Sequence, residues 1–222
     1  MDDRTWDLIV KAFWPLFVQG VSWTIPLTLA SFAVGLVLAL LAAVGKLSHV
    51  KVFQLAASGY IAIFRGTPLL VQLFIIFYGF PTIGLKIDAI PSAILGFSLN
   101  VGAYAAESIR ASILAVPTGQ LEAAATIGMD YPLALRRVVL PQALRIAVPP
   151  LSNTFISLVK DTSLASGIMV AEMFRKAQEI AAPAYAFFWI YVEVALIYLL
   201  FCSVLTFGQG KLERHLNRYI TA

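Results

Sequence analysis

Two adjacent charges of opposite sign, Lys160 and Asp161, interrupt an apolar run, I-S-L-V-K-D-T-S-L-A. Charged groups are costly in a bilayer and normally face a partner or a wet cavity. Such a pair can contact the ammonium or carboxylate of a zwitterion, or act as a gate. An internal ion pair or snorkelling to the interface is the plainer alternative. Gln72, Asn100, Tyr104, Glu107 and Asn153 place further polar groups in neighbouring apolar stretches. As a set they can line a polar path at membrane depth. Taken singly, each reads better as a hydrogen bond between helices. Nothing in the chain suits covalent chemistry. There is no paired-carboxylate, nucleophile–base or metal set, and His49 and His215 have no second ligand at metal spacing. No G-x-x-x-x-G-K-[ST] nucleotide motif occurs. The chain is therefore not expected to be an enzyme.

Composition says what must position these residues. Of 222 residues, 60% are hydrophobic and 13% charged, with mean hydropathy +0.85. Soluble domains carry about 45–50% apolar and about 25% charged residues. An all-α integral membrane protein is the consequence, with room for roughly five or six spanning helices. One membrane domain over 1–222 is the economical division. Residues 12–45 hold no charge, too long a run for a signal peptide, and the N-terminus lacks a basic n-region. The single cysteine, Cys202, lies in an apolar run and reads as packing. Nucleic-acid binding has no support.

The first span falls within 12–45, where Pro15 and Pro26 predict a bent or late-starting helix. Residues 52–64 are apolar and end in Arg65-Gly66-Thr67-Pro68. Thr67 followed by Pro68 is a cap-and-first-turn signature, so a new helix begins there or a long one bends. Arg65 reads as a cytoplasmic-interface anchor. The second span continues to Tyr78. The third, 90–109, is rich in small residues suited to close helix contact, and Glu107 and Arg110 share its final face. The fourth covers 143–166. A loop with Glu172, Arg175, Lys176 and Glu179 leads to the fifth, 184–207, where Glu193 is expected to have a buried partner. A short basic tail, suited to anionic lipid, follows.

Between the third and fourth spans lies a polar interruption, 117–141. Thr118 is placed to cap a short helix, and Gly128 to end it in the left-handed conformation. Asp130 caps a second helix with Pro132 in its first turn and Pro141 near its close. With the N-terminus outside, ten basic residues fall inside (Lys46, Lys51, Arg65, Arg110, Arg136, Arg137, Arg145, Lys211, Arg214, Arg218). Five fall outside (Arg4, Lys11, Lys86, Arg175, Lys176). That bias predicts N-out, C-in and a cytoplasmic hairpin.

The hairpin carries Glu122-Ala123-Ala124, then Gly128, then Leu140-Pro141. This resembles the EAA loop of ABC importer permeases (EAA, three residues, G, nine residues, I, one residue, LP), with Val138 in the isoleucine position. I-F-R-G-T-P-L-L-V-Q-L-F (63–74), S-L-N-V-G-A-Y-A-A-E (98–107) and S-L-V-K-D-T-S-L-A (157–165) are similar to the polar amino-acid branch, which includes histidine, glutamine, arginine and cystine importers. Through 90–100 and 149–165 the cystine permeases stand nearest, although these blocks fix the substrate only weakly. The resemblance implies the type I permease fold, with about five spans and a cytoplasmic coupling helix-turn-helix. It implies two permease subunits, identical or paralogous, in a bacterial inner membrane, and an extracytoplasmic amino-acid-binding protein. It also implies two ATPase subunits docked on Glu122, Ala123, Ala124, Gly128 and Met129. ATP and magnesium would sit on those partners and no cofactor on this chain. The hairpin would pass motion to the third span through Glu107–Arg110 and to the fourth through Pro141. The presence of Lys160-Asp161 across the branch, whatever is carried, points to a shared structural or gating role. A self-contained secondary carrier is the rival, but that class usually shows inverted repeats, and none is visible here.

Overall fold

Proline sets the irregularities of a chain that is otherwise helix after helix. The computed structural model describes residues 3–217; Arg218, counted above on the inner side, lies outside them. The helices are α1 (Asp3–Gln19), α2 (Ile25–Leu47), α3 (Lys51–Gly66), α4 (Leu69–Phe74) and α5 (Ala89–Leu114). They continue with α6 (Thr118–Thr126), α7 (Tyr131–Ala134), α8 (Leu140–Asp161), α9 (Met173–Ala184) and α10 (Phe187–Asn217). Among the described residues three π turns interrupt them: Gly20–Thr24, Ile75–Gly79 and Leu135–Val139. Each ends two residues before a proline, namely Pro26, Pro81 and Pro141. In each, the residue preceding the proline donates its N–H to the carbonyl five back: Ile25 to Gly20, Phe80 to Ile75, Leu140 to Leu135. A proline has no N–H, and its ring strikes the carbonyl four back. Widening the turn moves that carbonyl aside and lets the helix continue.

Two expectations are corrected by this device. The first helix does not start late at Pro15 or Pro26: α1 runs through its π turn into α2, an apolar helical stretch of 43 residues from Thr5 to Leu47. Pro141 does not close the hairpin either, because α7 passes through the third π turn directly into α8.

Helices α2 and α5 form the tightest seam, at small residues. A Cβ on Gly35 would lie 2.7 Å from Val101 Cγ1, and one on Gly102 would lie 2.9 Å from Leu38 Cβ. Ser92, Ala93, Gly96, Ser98, Ala103, Ala105 and Ala106 are all buried along α5. Ser98 Oγ donates to Ser31 O across the seam at 3.0 Å. Without a hydrophobic drive between helices in lipid, such close approach is what holds them together. Leu73, Phe97 and Leu158 fill the core beside it.

The segment expected as a loop around Glu172 is helix α9. Met173, Ala177 and Ala181, spaced by four, bury one face against Ala12, Leu16, Ile190, Val194 and Ile197. Arg175, Lys176 and Glu179 pair on the opposite face. The charges hid the helical period. Glu172 caps α9: its carboxylate accepts from Phe174 N (2.7 Å), Arg175 N (2.6 Å) and the Tyr198 hydroxyl (3.0 Å), and is fully buried. The basic tail continues α10 to Asn217 instead of forming a separate segment.

Among the described residues, three helical stretches are long and apolar enough to cross a membrane: Thr5–Leu47, Ala89–Leu114 and Phe187–Leu216. Two bent pairs qualify when each is counted as one span, giving up to five. One is Lys51–Gly66 with Leu69–Ile83, bent by 104°; the other is Tyr131–Ile168 with Met173–Ala184, bent by 54°. Of the two readings left open at Thr67-Pro68, a new helix begins there.

A polar cavity at a helix break and an exposed hairpin

The 104° break opens a cavity of about 500 Å³ bounded by Thr67 and Pro68, by α5 and by α8. Asn100, Tyr104, Asn153 and Asp161 line it, four of the seven path residues expected from sequence. Thr67, Thr154 and Ser157 line it as well and were missed. Asn153, Ser157 and Asp161 follow each other by four along α8. That spacing puts one polar stripe on one helix face, and was the signal available. Asn153 Oδ1 accepts from Gln209 Nε2 on α10 at 3.0 Å.

The other three expected residues lie elsewhere. Gln72 sits behind the cavity wall, 6% exposed. Its Nε2 donates to Phe64 O (3.0 Å), Thr67 O (3.1 Å) and Thr67 Oγ1 (2.9 Å), while its Oε1 accepts from Asn100 Nδ2 (3.2 Å). The sequence predicts Thr67 as the cap of α4, but it makes no capping bond there; its hydroxyl donates back to Ile63 O at 2.8 Å. Lys160 is exposed and outside the cavity lining, and forms no ion pair with Asp161. The two charged groups make no direct contact, since neighbouring helical residues do not face each other. Glu107 is also outside the lining. It accepts from Lys46 Nζ (2.8 Å) and from Arg110, joining the ends of α2 and α5.

Arg65 reaches the Tyr104 wall from outside. Its guanidinium lies over the Tyr104 ring, 5.2 Å from the centroid, beside the cavity. Tyr104 is ten residues from the end of α5, about 15 Å along its axis. The break stops α3 against the middle of α5. Glu193 is buried, as expected, but neither carboxylate oxygen has a hydrogen-bond partner among the described residues.

The hairpin forms as its turn chemistry demands. Gly128 has φ +83°; its N–H donates to Ala125 O (3.0 Å) and Met129 N to Ala124 O (3.1 Å). This double bond pattern closes a helix through a left-handed residue. Asp130 Oδ1 accepts from Leu133 N at 3.0 Å, capping α7 with Pro132 in its first turn. Thr118 does not cap α6: it is the first helical residue, behind Pro117, and makes no capping bond. Ala124 and Ala134 face inward, above the cluster of Val116, Val139 and Ala143. Glu122, Ala123, Ala125, Ile127 and Tyr131 are exposed, and Met129 is half-buried. The outer face is thus a shallow helix with little bulk, flanked by two large apolar tips and one carboxylate.

Comparison with known proteins is consistent across sequence and structure. Residues 35–218 match the family described as "Binding-protein-dependent transport system inner membrane component". The L-cystine transport system permease protein TcyB of Bacillus subtilis (strain 168) is 56% identical over 216 residues, 97% of this chain and 92% of that protein. The probable amino-acid ABC transporter permease protein PatM of Vibrio harveyi is 45% identical, covering 83% and 86%. A solved structure described as an amino acid ABC transporter with histidines superposes with TM-score 0.87 at 37% identity, covering 91% of this chain and 95% of that one.

Proposed function

Because the chain belongs to the family of binding-protein-dependent transport system inner membrane components, we propose that it is the permease of a polar amino-acid importer and that the cavity at the α3/α4 break is its passage. The observation that carries this is the lining. Asp161 supplies a carboxylate for an ammonium, and the amides of Asn100 and Asn153 with the hydroxyls of Thr67, Tyr104, Thr154 and Ser157 supply hydrogen-bonding groups around it; Arg65, exposed and outside the lining, stands over the Tyr104 ring as a cation for a carboxylate. A zwitterion fits that distribution, and a broken helix supplies irregular backbone only where it lines a cavity. The 56% identity to a cystine permease makes cystine the first substrate to test.

The chain works as one permease unit with a second copy or a paralogue. Two ATPase subunits grip the α6–α7 hairpin through Glu122, Ala123, Ala124, Gly128 and Met129. The small face of α6 admits a partner's cleft closely, and Glu122 complements the helix dipole and a partner cation. ATP and magnesium belong to those subunits. An extracytoplasmic binding protein delivers the substrate. In a bacterial inner membrane with N-terminus out and C-terminus in, the hairpin meets the cytoplasm. From there α8 carries its movement without interruption to Asp161. A secondary carrier also uses broken helices, but the kinship to importer permeases favours ATP-driven transport.

Asp161→Asn and Asn100→Leu test the passage, in the reconstituted transporter with its binding protein. Uptake of labelled cystine should fall at least tenfold, the scale of a lost charge-assisted contact, while the ATPase subunits remain bound. Wild-type uptake by both variants would refute the assignment.

A further inference from the structure

The helix break itself needs an account, because it frees backbone groups at membrane depth. The last carbonyls of α3 have no partner further along the helix. In hydrocarbon each unsatisfied carbonyl costs far more than at a wet helix end. Two of them, and the Thr67 carbonyl just beyond the helix, are answered by side chains. Ile63 O accepts from Thr67 Oγ1; Phe64 O accepts from Gln72 Nε2 and from Asn100 Nδ2 at 3.3 Å; Thr67 O accepts from Gln72 Nε2. Gln72 is common to two of these and reaches them from α4, on the far side of the break. One buried amide therefore ties the helix before the break to the helix after it.

The same amide acts on the cavity. Backbone carbonyls only accept, so both side-chain nitrogens that meet Phe64 O are fixed as nitrogens. Gln72 must then turn its oxygen to Asn100, and Asn100 must turn its nitrogen to Gln72 and Phe64. Among the described residues no donor meets Asn100 Oδ1, and Asn100 lines the cavity. We infer that Gln72 is a positioning residue: by holding the Asn100 amide in one orientation it makes the cavity wall an acceptor, so that Asn100 with Asp161 selects a substrate bearing a free ammonium group. This rests on the reading of the cavity as the amino-acid passage. Released from Gln72, the Asn100 amide can rotate and offer either face, and a carbonyl or acyl group becomes acceptable where only a donor was.

The test is equilibrium binding to the purified permease–ATPase complex without the binding protein, using radiolabelled L-cystine competed by L-cystine or by N,N′-diacetyl-L-cystine. Wild type should prefer the free amine by about tenfold or more, the scale of one charge-assisted hydrogen bond. Gln72→Met keeps the size and removes every polar contact. It should lose most of that preference. Gln72→Glu keeps an oxygen for Asn100 Nδ2 and should retain the preference even where thermal stability drops. A purely structural role would lower stability in both variants and leave the preference alone. Full discrimination in Gln72→Met, with loss in Asn100→Leu, would overturn the inference. Should Gln72→Met not assemble, Gln72→Leu, which also removes the amide, takes its place: loss of discrimination there supports the inference and full discrimination overturns it. Unchanged cystine binding in both Asn100→Leu and Asp161→Asn would instead refute the passage, and this inference with it.

Discussion

Gly128 offers the sharpest perturbation, because its cost is backbone alone. A Cβ built there meets nothing within 4 Å, so no clash confuses the result. Its φ of +83° costs an ordinary L-residue about 1–2 kcal/mol. The escape is to abandon the left-handed turn, which gives up the bonds from Gly128 N and Met129 N. Each is worth about 1 kcal/mol net. Strain and escape are therefore of similar size, and Gly128→Ala should divide the hairpin between the native angle and others. Gly128→Val should leave the native angle a minority. Asn visits the left-handed region more readily, so Gly128→Asn should stay close to wild type. The turn is exposed at the tip of the molecule, so thermal unfolding should move by a few degrees at most. The assay is retention of the ATPase subunits on affinity-tagged permease, with cystine transported per ATP hydrolysed. The order expected is glycine, then asparagine, alanine and valine. Wild-type coupling in Gly128→Val would refute the reasoning. Equal damage from Asn and Val would show that side-chain bulk, not the left-handed backbone, is what the partner senses.

Other changes should read out on stability. Glu172→Gln turns an amide N–H₂ toward donors that now share a buried carboxylate, and should cost about 1–3 kcal/mol, measured as a lower unfolding temperature in detergent; Tyr198→Phe should cost less. Gly102→Leu drives a side chain into Leu38 and the Tyr60 hydroxyl and should abolish folded expression, whereas Gly59→Ala, with open space around it, should gain up to about 1 kcal/mol from helix propensity. Glu107→Gln leaves Lys46 and Arg110 facing each other without a counter-ion, and should lower the unfolding temperature most at low salt.

Much of the architecture was legible because apolar length, small-residue content and turn chemistry are local signals. Gly128 and Asp130 took the conformations their types prescribe. The small residues of 90–109 did become the tightest helix seam. Misreadings arose where tertiary context overrode a local cue. Charges at Arg175, Lys176 and Glu179 suggested a loop, yet the four-residue spacing of Met173, Ala177 and Ala181 had a buried face to meet. Prolines at 26 and 141 suggested helix ends, yet a widened turn absorbed each. Of the polar set, Asn100, Tyr104, Asn153 and Asp161 converge on one cavity. Lys160 and Glu107 do not, because position in a span says nothing of which face a residue occupies. Arg65 could not be placed without the 104° break, since the angle decides which part of α5 it reaches.

The central claim is that this chain carries an amino acid inward with energy from a partner's ATP hydrolysis. Labelled cystine uptake into proteoliposomes holding the permease, its ATPase subunits and its binding protein tests that most directly. Uptake should require ATP on the ATPase side, stop when the catalytic carboxylate of the ATPase is removed, and be indifferent to ionophores. Uptake by the permease alone, driven by a proton or sodium gradient without ATP, would contradict it.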